Sequence, residues 1–352
     1  MLRLFIAVMT TPVIFADMNF TLVNSCYDPN LSASTFQRII GLTITACGIL
    51  CARDHSCQSF SVKQEGQYFT CFLNSDRRQE DGGCPHQWYR HFNRDAYRCQ
   101  NEGMFINATY GCRCFHGFIG KWCERLMQDC SEGHNTDHYT GQEGLFYIQP
   151  NNSVVKYKVF CKMAYKGSTH FMRRGLYEPY VDFARSWEEY KHGFGDLEEN
   201  GNYWAGLEML HSVTTNRDHK FVVMAYFQDY GSLHWRQHFY NVFKAYGEED
   251  LYKFDYSSSS ENFWDTDNRQ LMDELVNSVG VPFSTYDNDN SGSNCPNISQ
   301  SGWWFNGCYT YNPTGQPQPL SVVHQTSDPT SLTWPHAENK APVKIEIYLE
   351  VD

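Results

Sequence analysis

One run of residues in the sequence is suited to holding a metal ion. Asp287-Asn-Asp289-Asn-Ser291-Gly292-Ser293 places an oxygen-bearing side chain at every second position. That spacing sets hard oxygen donors on one side of a loop, the donor chemistry that Ca²⁺ requires. The same string opens the loop of a helix–loop–helix calcium site, but such a loop needs a bidentate Glu at its twelfth position, where Ile298 stands. Without a metal, this density of Asp, Asn, Ser and Gly makes a solvated turn. Other polar candidates carry less. Asp265-Thr-Asp267 follows a Ser-rich stretch and reads as a polar loop. His211, His234 and His238 do not form the helical His-x-x-x-His pair with a Glu between them. Neither a Gly-x-Ser-x-Gly nucleophile turn nor a phosphate loop is present, so the chemistry points to binding and not to catalysis.

The elements that position these residues are set by cysteines. The 352 residues, with room for two or three domains, contain 14 Cys in three even groups. Cys26, Cys47, Cys51, Cys57, Cys71 and Cys84 form the first, Cys99, Cys112, Cys114 and Cys123 the second, and Cys130, Cys161, Cys295 and Cys308 the third. An even count at this density belongs to an oxidising compartment, where each Cys defaults to a disulfide. Residues 1–16 agree: Arg3 precedes an apolar stretch ending at Ala16, the pattern of a secretory signal peptide. Five Asn-x-Ser/Thr sequons, at Asn19, Asn30, Asn107, Asn151 and Asn297, suit an extracellular protein. No apolar run reaches the roughly 18–20 residues of a membrane span. A net charge of −12 argues against nucleic acid, whose phosphates need clustered Lys and Arg. Aromatic residues are 16% of the chain, enough rings to fill a large core.

Local patterns then place the elements. Thr45–His55 is an amphipathic helix with Cys47 and Cys51 on one face. Ser59–Val62 and Tyr68–Leu73 read as two strands joined at Gly66. Ser186–Tyr190 has helical spacing, with Trp187 and Tyr190 on one face and Gly193 and Gly195 as stops. Phe221–Phe227 reads as a buried strand.

The order Cys47-x3-Cys51-x5-Cys57-x2-Phe60, then Cys71-Phe-Leu, resembles the PAN/apple family over residues 24–95. The resemblance implies an α+β binding module with pairs Cys47–Cys71, Cys51–Cys57 and Cys26–Cys84. Cys112-Arg-Cys114-Phe-His-Gly117-Phe118-Ile-Gly120-Lys-Trp-Cys123-Glu124 resembles an EGF-like domain, a small β module, over 97–124. Its first and third cysteines, which are partners in the family, are both missing, which implies Cys99–Cys112 and Cys114–Cys123. From 128 to 352 the chain resembles the fibrinogen C-terminal domain, the fold of the ficolin- and tachylectin-like proteins. Carrying residues are Gly144-Leu-Phe-Tyr-Ile-Gln-Pro150, the 181–211 stretch, Phe283-Ser-Thr-Tyr-Asp287-Asn-Asp289 and Ser301-Gly-Trp303-Trp304-Phe305-Asn-Gly-Cys308. The resemblance implies an α+β fold with a central antiparallel sheet and pairs Cys130–Cys161 and Cys295–Cys308. It also implies one Ca²⁺ held by the carboxylates of Asp287 and Asp289 and the carbonyls of Ser291 and Ser293, on a loop about two residues shorter than usual. A ligand pocket is implied beside it, with Ser299 and Tyr309 where acetyl-binding members have an aromatic residue and His, and a cis peptide joining Gly307 to Cys308.

Two functions fit this architecture. The first is a secreted, non-enzymatic recognition protein that binds glycans or acetylated groups on cells or microbes with calcium support. The second is an adhesion, matrix or signalling protein whose fibrinogen-like domain binds an extracellular protein. The sequence places the glycan reading narrowly first, although Ser299 and Tyr309 favour the protein ligand. No heptad run precedes the last domain, so a homo-oligomer would assemble without a coiled coil.

Overall fold

In the computed structural model of the chain, the described residues are 20–23, 33–54, 56–66, 68–76, 89–94, 99–106, 111–136, 138–164, 166–176, 179–229, 232–263, 275–308, 311–318, 328–334 and 341–351. The signal-like segment, the Cys26–Cys84 pair, Tyr309, Asp265 and Asp267, and the sequons at Asn19, Asn30 and Asn107 lie outside them. The chain divides into two compact units, Met1–Cys114 with Gly120–Glu124, and Phe115–Ile119 with Arg125–Asp352.

The first unit holds a five-stranded antiparallel sheet. Its strands are β1 (Phe20–Val23), β2 (Thr35–Leu42), β3 (Ser59–Glu65), β4 (Tyr68–Asn74) and β5 (Tyr89–Arg94), in the order β1-β5-β3-β4-β2. β3 and β4 are the two strands read from the sequence, and Gly66 joins them with φ of 68°, a conformation open to glycine. Helix α1 (Ile44–Arg53) begins at Thr43, whose hydroxyl accepts from the Ala46 N–H. Its inner face carries Cys47 and Cys51, bonded to Cys71 and Cys57, against Phe60, Val62 and Leu73. A hairpin of β6 (Met104–Ile106) and β7 (Gly111–Arg113) follows, with Cys99–Cys112 and Cys114–Cys123.

In the second unit, β8 (Phe118–Ile119) pairs with β9 (Arg125–Leu126). The large sheet is built from β10 (Glu143–Ile148), β11 (Tyr157–Lys162), β12 (Ser168–Gly175), β13 (Phe194–Gly195), β14 (Tyr203–Trp204), β15 (His219–Asp229), β16 (Ser232–Ala245), β17 (Phe254–Asp255), β18 (Ser258–Phe263) and β19 (Lys344–Glu350). Its main path runs β10-β11-β12-β19-β15-β16-β17, antiparallel throughout. Alternation sorts the side chains: Ile345, Ile347 and Leu349 of β19 and Phe221, Val223, Ala225 and Phe227 of β15 enter one apolar core. Helix α2 (Cys130–His134) is tied to β11 by Cys130–Cys161. Helices α3 (Trp187–His192) and α4 (Leu207–Asn216) add Trp187, Tyr190, Leu207, Leu210 and Val213 to that core. Helix α5 (Cys295–Ser299) opens the 295–308 disulfide loop.

Candidate functional site

Helix α3 anchors the site. Its Ser186 hydroxyl accepts from the Glu189 N–H while the Glu189 carboxylate accepts from the Ser186 N–H, a reciprocal cap worth about 1 kcal/mol. Gly193 ends it at φ of 95°, and an added Cβ there would meet the Trp204 and Ala205 backbone. The buried face of α3 then reaches into the loops that follow the sheet. The Tyr190 hydroxyl donates to the Phe183 carbonyl at 2.8 Å and accepts from the Gly302 N–H at 2.9 Å. Burial raises this hydroxyl well above the ordinary tyrosine value, so it stays protonated and keeps donating. Gly302 lies so close to the Tyr190 ring that a Cβ would stand 2.7 Å from Cε2.

The acidic loop is fastened to the same helix. One Asp287 carboxylate oxygen accepts from the Trp187 N–H at 2.9 Å and from the Thr285 hydroxyl at 2.7 Å. Asp287 thus satisfies a backbone donor that the first turn of α3 leaves over. Asp289 folds onto its own loop, accepting from the Ser291 N–H at 2.9 Å and from the Ser291 hydroxyl. Ser291 in turn accepts from the Ser293 and Cys295 N–H groups at 3.3 and 3.2 Å. The Ser293 carbonyl oxygen rests 3.5 Å from Cys308 Sγ. Both carboxylates are exposed. Two exposed carboxylates on a loop of Asn and Ser oxygens fit a hard cation. Among the described residues, no group of three or more His, Cys, Asp or Glu side chains is placed to hold a metal ion. A cation here would therefore rely on Asp287 and Asp289 together with carbonyl oxygens.

The pocket residues fall differently. Ser299 is fully buried at the end of α5, with its hydroxyl lacking a hydrogen-bond partner. Its carbonyl accepts from Asn312 Nδ2 at 3.1 Å. Gly307 is exposed, with φ of 107°, and Cys308 closes the disulfide to Cys295. Trp303, Trp304 and Phe305 belong to the core, where Trp304 Nε1 donates to the Tyr252 carbonyl at 2.7 Å. A small, partly open space lined by Ser278, Trp303, Gly307 and Tyr311 has a volume of about 10 Å³, the room of one water. Asn151 and Asn297 are both exposed, as glycan attachment requires.

Sequence reasoning missed Asn312, which organises this region. Its Oδ1 accepts from Ser301 and Thr314, and its Nδ2 donates to the Ser299 and Pro329 carbonyls. Pro313 follows it, which rules out an Asn-x-Ser/Thr glycan site, and nothing local marks it as a buried hub. Also missed was Arg174, buried on β12, which donates to the Gly315 and Val181 carbonyls at 2.7 Å and lies 4.2 Å over the Phe183 ring.

The architecture of sheet, capped helix and disulfide-closed loop coincides with a family model. Residues 126–345 match the C-terminal globular domain of fibrinogen beta and gamma chains. The chain belongs to this family. Among curated relatives of this fibrinogen-like chain, fibrinogen-like protein 1 of Bos taurus is 34% identical over 199 residues, covering 54% of the chain and 62% of the relative. The Homo sapiens protein of the same name is 31% identical with the same coverage. Angiopoietin-related protein 6 of Mus musculus is 30% identical over 56% of the chain and 39% of its own length. The chain thus spans less than two thirds of these relatives. Among solved structures, lamprey fibrin D-dimer in complex with the peptide ligand Gly-His-Arg-Pro-amide shares the fold, with a TM-score of 0.53 and 24% identity over 63% of the chain and 73% of that structure.

Proposed function

We propose that this fibrinogen-like chain is an extracellular, non-enzymatic recognition protein whose C-terminal unit binds a protein ligand or receptor. The observation that carries the choice over glycan binding is the burial of Ser299, which stands where acetyl-binding members have an aromatic residue. Ser299 has 0% of its surface exposed, so it offers no wall to a sugar. Relatives named for fibrinogen and angiopoietin support the same direction, as does a fold relative solved with a peptide ligand. No helix among the described residues is long and apolar enough to cross a membrane. Asp287 and Asp289, with the Ser291 and Ser293 carbonyls, would hold Ca²⁺ and so neutralise and stiffen the loop at the rim of the binding surface. The apple-like and EGF-like readings of the first unit would supply further binding and a spacer.

The test is binding of the labelled full chain to cell surfaces. Protease treatment of the cells is expected to abolish it, with free N-acetyl sugars leaving it unchanged. Elution by N-acetylglucosamine, together with retention on an N-acetylated resin in Ca²⁺ and release by EDTA, would restore the lectin reading.

A further inference from the structure

We propose that the second unit carries another recognition site, a fork in its sheet that accepts an acidic, extended peptide as an added strand. β10 pairs along the whole of β11, but on its other side β11 pairs with β12 only through Phe160, Cys161 and Lys162. Beyond that point β12 bonds instead to β14, through Met172–Trp204 and Arg173–Tyr203, and β14 carries β13. Two strand edges are left facing a common gap, Tyr157–Val159 of β11 and Phe194–Gly195 of β13. Among the described residues neither has a ladder partner on that side.

The gap is a cleft of about 360 Å³, which suits a few residues of chain. Tyr157, Lys158, Phe194 and Gly195 form its walls, and Trp204 lines it below. This framework is fixed: the Tyr157 hydroxyl is 2.9 Å from Ser212 Oγ, and Trp204 Nε1 donates to the Tyr190 carbonyl at 2.9 Å. An unpaired strand edge offers a template for main-chain hydrogen bonds, and flanking side chains give specificity.

Charge selects the occupant. Lys156 and Lys158 line the cleft, two cations on a chain of net charge −12, while His192, also in the lining, lies 3.4 Å from the Glu188 carboxylate. The one carboxylate lining it, Glu208, accepts from the Tyr252 hydroxyl and keeps its charge, so the two lysines outweigh it. An acidic peptide is complementary and a basic one is repelled. Val154 and Val155, exposed immediately ahead of β11, offer an apolar contact to the same segment. None of residues 287–308 lines this cleft, so the site is separate from the calcium loop and fails or holds independently of it.

The probes are blocked peptides applied to the full chain at millimolar concentration: acetyl-Asp-Val-Glu-Val-amide, its counterpart with Lys at the acidic positions, and the acidic peptide N-methylated at alternate amides. The readouts are amide hydrogen exchange of segments 157–159 and 194–195 and a binding titration. The acidic peptide is expected to slow exchange there, to persist in EDTA, and to bind at least about tenfold more tightly than the other two. The exposed double variant K156E/K158E should reverse the preference between acidic and basic peptides. Absence of protection in 157–159, equal protection by the N-methylated peptide, loss of binding in EDTA, or an unchanged preference in K156E/K158E would each overturn the proposal.

Discussion

Replacing His170 should remove most of the mild-acid sensitivity of the second unit. The residue lies on β12 with 2% of its surface exposed. Its ring stacks on Tyr348 at 5.2 Å and meets Phe160 edge-on at 5.6 Å, with Nε2 3.3 Å from the Ser168 hydroxyl. Burial drives its pKa from 6.5 down to about 3; Glu346 opposes the shift, while Lys162, Arg173 and Lys344 add to it. Above pH 6.5 the folded and unfolded chains both hold a neutral ring, and the residue adds no pH dependence. Below that, the unfolded chain takes up a proton that the folded chain refuses. Stability therefore falls by about 1.4 kcal/mol per pH unit until the folded pKa is reached. At about pH 5 the loss is about 2 kcal/mol. Glu346 does not confuse this window. Burial raises its carboxyl, but the Arg173 guanidinium at 2.9 Å and Lys344 overcome that and hold it at about 2. Its contribution is intact above the ordinary 4.5 and is lost only as pH falls from there toward 2. The assay is guanidinium unfolding followed by the fluorescence of the buried Trp204, Trp303, Trp304 and Trp334. The wild-type chain should lose about 2 kcal/mol between about pH 7 and about pH 5, and His170→Phe under about 0.5. Parallel losses in the two proteins would refute the reasoning.

Further expectations concern single side chains. Asp287→Asn keeps an oxygen acceptor for the Trp187 N–H but removes a carboxylate, so calorimetry should show Ca²⁺ uptake weakened at least about tenfold while Tm in EDTA is held. Asp287→Ala should lower stability by about 1–2 kcal/mol even in EDTA, because the Trp187 and Thr285 donors lose their acceptor. Gly302→Ala drives a methyl into the Tyr190 ring and should cost about 1–3 kcal/mol, read as a fall in the denaturant midpoint. Glu346→Gln should flatten the stability profile between about pH 4.5 and pH 2 while lowering stability at neutral pH, since Arg173 is left buried without its counter-charge.

Much of the scaffold is readable one element at a time. Helix α3 follows from Ser186, Glu189, the Trp187–Tyr190 spacing and Gly193, because caps and amphipathic faces are local signals. β3, β4 and the Gly66 turn follow from alternation for the same reason. The pairs that make the site are different in kind. Asp287 bonds the Trp187 N–H across a sequence separation of 100 residues, and Gly302 bonds Tyr190 across 112. No periodicity encodes such contacts; they exist only after the sheet has brought two distant loops together. Ser299 shows the complementary case. Its position relative to Cys295 suggested a pocket wall, but a five-residue helix turns it inward. The fork at β11 was equally hidden, since a strand pattern records which residues alternate and not where a neighbouring strand departs.

The place of β19 carries a consequence for biosynthesis. This strand, near the end of the sequence, lies in the middle of the sheet between β12 and β15. A ribosome releases β12 and β15 long before it releases their common neighbour. During that interval both strands present unpaired edges, the state in which sheets recruit the wrong partner. Closure of the core therefore waits for residues 344–350. A nascent chain arrested before residue 344 should remain bound to holdases, and a product truncated at 344 should be sent to degradation.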